Sequence, residues 1–189
     1  MLSSTELVGC VNPGLTVAGL GSRAAGDDAI GLALVEALAR TLPGSMRDYR
    51  PITTLLWEDA DALTLAHDLT TLPGPLLIVD CADMGLEAGA WRAFSLRGGQ
   101  LRDHLSPLST HGLGLAEALA IAVGLGYPHT IDIFGVQPFA LTPYSGLTTE
   151  MSARFPVLLE ALQNWLIRSE QAAPGTGPGS PAAKGTGLL

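Results

Sequence analysis

Two kinds of hydrophobic run alternate along this chain. Short continuous apolar stretches have strand length: Leu15–Leu20 (LTVAGL), Ile52–Trp57, Leu76–Val79 (LLIV), Trp91–Leu96 and Thr130–Phe134. Glycine, proline or aspartate bounds most of them. Between them, apolar residues recur every three or four positions, which predicts helices over Ala29–Leu42, Asp59–Leu72, Gly112–Val123 and Thr148–Ile167. In the first, Ile30, Leu34, Leu38 and Leu42 share a face. Asp27 and Asp28 precede it, where carboxylates suit an N-cap and the positive end of the helix dipole. Pro43-Gly44 and Pro73-Gly74-Pro75 stop the first two helices. Pro156 lies inside the last and should kink it or start a fresh first turn. The LLIV run is apolar at every position, as a central parallel strand buried on both faces must be.

Strands alternating with helices predict an α/β fold, a three-layer α/β/α sandwich with a mostly parallel central sheet of about five strands. The organisation expected is an extension over 1–14, one domain over 15–168 and a disordered tail over 169–189. From Ala172 onward the tail is rich in Pro, Gly, Ala and Ser without periodicity.

Composition narrows what such a domain can do. At 189 residues and 47% hydrophobic, the chain can bury a core without disulfides or a structural metal. Ten basic against 18 acidic residues leave a net charge of −8. That balance excludes displacing counterions from nucleic acid and docking on anionic membranes. Two cysteines, Cys10 and Cys81, make neither a disulfide framework nor a C-x-x-C pair. The four histidines are His67, His104, His111 and His129, so any metal site must be mostly carboxylate with one or two imidazoles. No apolar run reaches membrane-helix length, and Met1–Asn12 has no signal-peptide pattern. A cytoplasmic protein is expected.

Sites in open α/β sheets form beyond the carboxyl ends of the strands. That rule selects the Gly19–Asp28 loop, then Asp80, Cys81 and Asp83, the Ser109-Thr110-His111 segment, and Gly135, Gln137 and Pro138. Gly19, Gly21 and Gly26 resemble a dinucleotide loop only loosely, and acids at the helix start would repel a pyrophosphate. A nucleotide-binding domain is therefore the weaker alternative. Asp28 reads as an N-cap or as a cation ligand. Asp80 reads as an Asx-turn or cap at a strand exit, or as a buried functional acid. Asp83 reads as a turn residue, and His111 as a capping group or a ligand. Two carboxylates and one imidazole from three loops can bind a divalent metal and leave positions open, which is hydrolytic chemistry. Cys81 beside an acid makes a poor nucleophile, and no G-x-S-x-G elbow is present.

Four stretches together resemble the hydrogenase maturation proteases, endopeptidases that process the large subunit of nickel–iron hydrogenases. They are VAGLGSRAAGDDAIGLALVEAL (Val17–Leu38), LLIVDCADMGLEAGAW (Leu76–Trp91), STHGLGLAEALAIA (Ser109–Ala122) and IDIFGVQP (Ile131–Pro138). GLTTEM (Gly146–Met151) is similar to the start of that family's last helix. The resemblance implies that Asp28, Asp80 and His111 contact the metal and carry catalysis. It implies that the metal is nickel supplied by the substrate, the nickel-loaded large-subunit precursor, which loses a C-terminal peptide by metal-assisted or aspartic-type hydrolysis. A non-catalytic, nickel-sensing chaperone of the same precursor is the alternative. Two departures stand out: Ser22 replaces the family's Asn after G-x-G, and Leu55–Asp59 lacks its D-G-G-T-like loop.

Overall fold

The computed structural model describes residues 14–42, 51–96 and 113–171. Five strands form one sheet in the order β2-β1-β3-β5-β4. They are β1 (Leu15–Gly21), β2 (Ile52–Glu58), β3 (Leu76–Cys81), β4 (Trp91–Leu96) and β5 (Ile131–Val136). The first three and β5 are parallel, and β4 runs antiparallel along the β5 edge. The helices are α1 (Ile30–Thr41), α2 (Ala62–Thr71), α3 (Leu113–Gly124) and α4 (Thr149–Gln171).

Side-chain alternation sorts the core into two layers. Leu15 and Val17 of β1 and Leu77, Val79 and Cys81 of β3 pack with α1 and α4. Ala18, Leu20, Leu76 and Ile78 pack on the other face with α2 and α3. Every residue of β1 and β3 is buried, as two covered faces require. The three-layer α/β/α expectation holds.

Connectivity explains the layers. The chain steps from β1 outward to β2, then back across β1 to β3. Crossovers of one hand made in opposite directions place α1 and α2 on opposite faces. The β1–β3 ladder stops at Gly19 and Val79, before either strand ends, and this switch point is where sheets of this class form a site crevice.

Several local expectations shift. Asp61, not Asp59, opens α2: its side chain accepts the Thr64 N–H at 2.8 Å, while Asp59 sits at φ 49°. The last helix runs through Pro156 and starts well before it, at Thr149, so Pro156 begins no new first turn. Thr148 caps it, its Oγ1 accepting the Met151 N–H at 3.1 Å. That helix extends to Gln171, into the stretch assigned to the tail. Residues 172–189 and 1–13 lie outside the described residues. Among the described residues no helix is long and apolar enough to cross a membrane.

Candidate active site

The crevice between β1 and β3 is floored by close backbone contact. A Cβ on Gly31 would lie 2.4 Å from the carbonyl oxygens of both Leu20 and Val79. One on Gly19 would lie 2.6 Å from the Gly31 carbonyl oxygen. Only glycines let α1 settle this deeply across β1 and β3. The 3-10 turn Gly26–Ala29 leads directly into α1, so this seating also fixes the turn beside the carboxyl end of β3.

Asp28 lies in that turn and is 1% exposed. Its Oδ2 accepts the Ser22 N–H at 2.6 Å, a short charge-assisted bond back to the residue after β1. Asp80 is also 1% exposed and belongs to β3 itself, which continues to Cys81 rather than ending at the acid. Cys81 is buried, and burial is the main force pushing its thiol pKa up. The charges of Asp80, Asp28 and Asp27, in that order, push it further. The three acids thus act on one neighbourhood, and Cys81 stays a protonated thiol there. Like charges in a buried site are costly unless donors or a cation offset them, and the hydrogen bonds to Asp28 and Asp27 supply donors here.

The helix-cap reading of Asp27 and Asp28 does not hold. Ala29 is the N-cap of α1, without a side-chain bond. Asp28 turns to Ser22, and Asp27 turns the other way, wholly buried. Its Oδ2 accepts the N–H groups of Phe139 and Ala140 at 2.9 and 3.1 Å and the Thr148 hydroxyl at 3.1 Å. Its Oδ1 accepts the Thr148 N–H at 2.8 Å. Sequence reading missed this role, because the donors lie more than a hundred positions away and are mostly backbone.

The loop after β3 is braced by a neutral side chain. Gln137, just past β5, accepts the N–H groups of Met84 and Leu86 through Oε1 at 2.7 and 3.2 Å. Its Nε2 donates to Asp83 Oδ1 at 3.1 Å. Asp83 also accepts the Gly85 N–H at 3.2 Å, so it is the turn residue expected. Both bonds hold its carboxyl below the usual range, the Gln137 bond most strongly.

At the rim, Arg23 bridges Glu36 at 2.5 Å and Glu58 at 3.1 Å. Trp57 is a core residue whose Nε1 donates to Asp68 at 2.9 Å. His67 is exposed on α2, and His129 packs edge-on to Tyr127. His104, Ser109, Thr110 and His111 lie outside the described residues. The chain just past α3 lies at the opposite, amino edge of the sheet, where the Tyr127 hydroxyl donates to the Gly74 carbonyl just ahead of β3. Twelve residues of helix span about 18 Å, which carries Leu113 toward the carboxyl edge. Among the described residues no three His, Cys, Asp or Glu side chains gather to hold a metal; of the three residues expected at the site, Asp28 and Asp80 are the two that the structure describes.

A sequence model of the hydrogenase maturation protease family matches residues 60–165. The chain belongs to that family. The solved structures agree with that. Hydrogenase maturating endopeptidase HybD from E. coli is similar with a TM-score of 0.66 at 27% identity, covering 82% of this chain and 93% of its own. An endopeptidase from Escherichia coli solved in solution gives 0.65 at 25% identity, with the same two coverages. Maturation protease HycI from Thermococcus kodakarensis KOD1 gives 0.61 at 21% identity, over 82% and 92%, and so shares the fold. No curated protein sequence matches the chain. As a maturation-protease family member the chain is a peptidase, and its crevice lies where this α/β fold forms sites.

Proposed function

We propose that this protein is the endopeptidase that removes a C-terminal peptide from a nickel-loaded hydrogenase large-subunit precursor. One observation supports the reading most: two buried carboxylates, Asp28 and Asp80, come from the exits of adjacent parallel strands on a maturation-protease fold. Oxygen donors at a crevice suit a divalent cation.

In this reading the nickel arrives with the substrate. Asp28, Asp80 and His111 meet it, and its remaining positions are left for water or the scissile carbonyl. Nickel held there would supply polarisation of the carbonyl or a lowered pKa for water, and a carboxylate of this chain would take up the proton released. A site of two carboxylates and one imidazole binds a divalent ion modestly, as a reader of another protein's metal must.

The test is incubation with nickel-loaded precursor, reading the precursor's mass before and after. Wild type shortens it. His111→Ala, with an unchanged circular dichroism spectrum, leaves it at full length, because the proposed nickel site then lacks its imidazole. Normal processing by His111→Ala removes the ligand assignment.

A further inference from the structure

The crevice accounts for Asp28 and Asp80, but not for Asp27, the most buried acid of the three. Its carboxylate is 0% exposed and takes four hydrogen bonds from Phe139, Ala140 and Thr148. All four donors are neutral. Backbone bonds run in parallel with them: Asp27 N–H to the Ala140 carbonyl at 3.1 Å, Gly26 N–H to the Ser145 carbonyl at 3.0 Å, and Tyr144 N–H to the Ala24 carbonyl at 2.5 Å. The two segments are pressed together, since a Cβ on Gly26 would lie 2.8 Å from Thr142 N.

This is more bracing than a turn needs for its own sake. The 3-10 turn that Asp27 anchors also carries Asp28. Adjacent residues in such a turn point in different directions, so Asp27 faces the loop after β5 while Asp28 faces Ser22. The bonds to Asp27 hold one side of the shared peptide, and the Ser22 N–H holds the Asp28 carboxylate on the other.

We propose that Asp27 is a positioning residue for the reaction: its buried carboxylate locks the loop from Phe139 to Thr148 against the turn and so fixes where the Asp28 carboxylate sits. This rests on the peptidase reading of Asp28. Asp27 itself touches neither metal nor substrate. Its chemistry must be that of a carboxylate, because only an acceptor-only side chain can meet four donors at both oxygens.

Asp27→Asn keeps the shape and sets one NH2 against N–H or O–H donors, whichever way the amide is turned. Two readouts follow it. In the precursor assay, kcat falls about a hundredfold, as a misplacement of about 1 Å can cause, while KM stays within about twofold. In the isolated protein, the Ser22 amide proton is expected far downfield in the NMR spectrum, given its 2.6 Å bond to a carboxylate. It moves upfield in Asp27→Asn. A residue that served stability alone would lower the melting temperature and move neither kcat per folded molecule nor that resonance.

Wild-type kcat in Asp27→Asn overturns the proposal, and so does a fallen kcat with the Ser22 resonance unmoved. Should Asp27→Asn not fold, Thr148→Val keeps the shape and removes one donor to Asp27 along with the α4 cap on the Met151 N–H; the same two readouts move the same way by less, whereas loss of the cap alone lowers only the melting temperature. If wild type itself cuts no precursor, the peptidase reading fails, and the Ser22 resonance still decides whether Asp27 sets the place of Asp28.

Discussion

The two strands that frame the crevice deliver their acids by different routes. Asp80 sits within β3, one residue before its end, where the ladder to β5 holds the backbone and the ladder to β1 has stopped one residue earlier, at Val79. Asp28 arrives only after a loop, within a 3-10 turn that no ladder reaches. The β1 side compensates with a glycine-seated helix and a buried carboxylate clamp. On the β3 side the main side-chain brace of the loop that follows is neutral, the buried amide of Gln137. An acid on a strand is placed by the sheet, whereas an acid on a loop is placed by whatever else touches that loop.

The sharpest way to break this comparison is at the helix seat. Gly31→Ala puts a methyl 2.4 Å from two strand carbonyls that have no freedom to move, so α1 must lift away. Chemical denaturation should show a loss of about 4 kcal/mol or more, or no folded protein at all. The control on the other exit is Gly85→Ala. Nothing lies within 4 Å of a Cβ there, and its φ of +64° costs only about 1 kcal/mol for alanine.

A smaller effect is expected from Gln137→Ala. It leaves the N–H groups of Met84 and Leu86 without their shared acceptor, at a cost of about 1–3 kcal/mol read from the urea midpoint. Asp80 stays on its strand, so kcat per folded molecule should remain close to wild type, unlike Asp27→Asn. A collapse of kcat in Gln137→Ala would erase the distinction between the two exits.

The smallest effect is one of pH. Asp83 has its carboxyl held below the usual 3.8, chiefly by Gln137 and then by Gly85. A depressed folded-state value means a stabilising contribution present above about pH 4 and lost as pH falls through the lower value. Asp83 is fully exposed, so solvent screens the contribution heavily. Comparing melting temperatures of wild type and Asp83→Asn from pH 6 down to 3 should show the gap between them closing in acid.

How much of this was legible in the sequence follows from the range of each interaction. Periodicity placed every strand and helix among the described residues, because a covered sheet demands continuous apolar runs such as LLIV. The strand-exit rule drew attention to Asp28 and Asp80, since topology alone decides where the switch point falls. Asp27 looked like a cap because acids before a helix usually are caps. Its actual donors are backbone groups of Phe139, Ala140 and Thr148, and no side-chain pattern announces them. Gln137 was visible as a polar residue beyond β5. Its grip on Met84 and Leu86 was not, because both bonds go to main-chain N–H groups.

Cys81 carries one more consequence. A thiolate is the soft, tenacious ligand that nickel prefers, and this one sits beside both carboxylates. Burial and the neighbouring negative charge keep it protonated, and a protonated thiol is a poor ligand. The crevice is left with hard, fast-exchanging oxygen donors. On the proposed reading, a metal that arrives with the substrate would then be held loosely enough to leave with the protein that owns it.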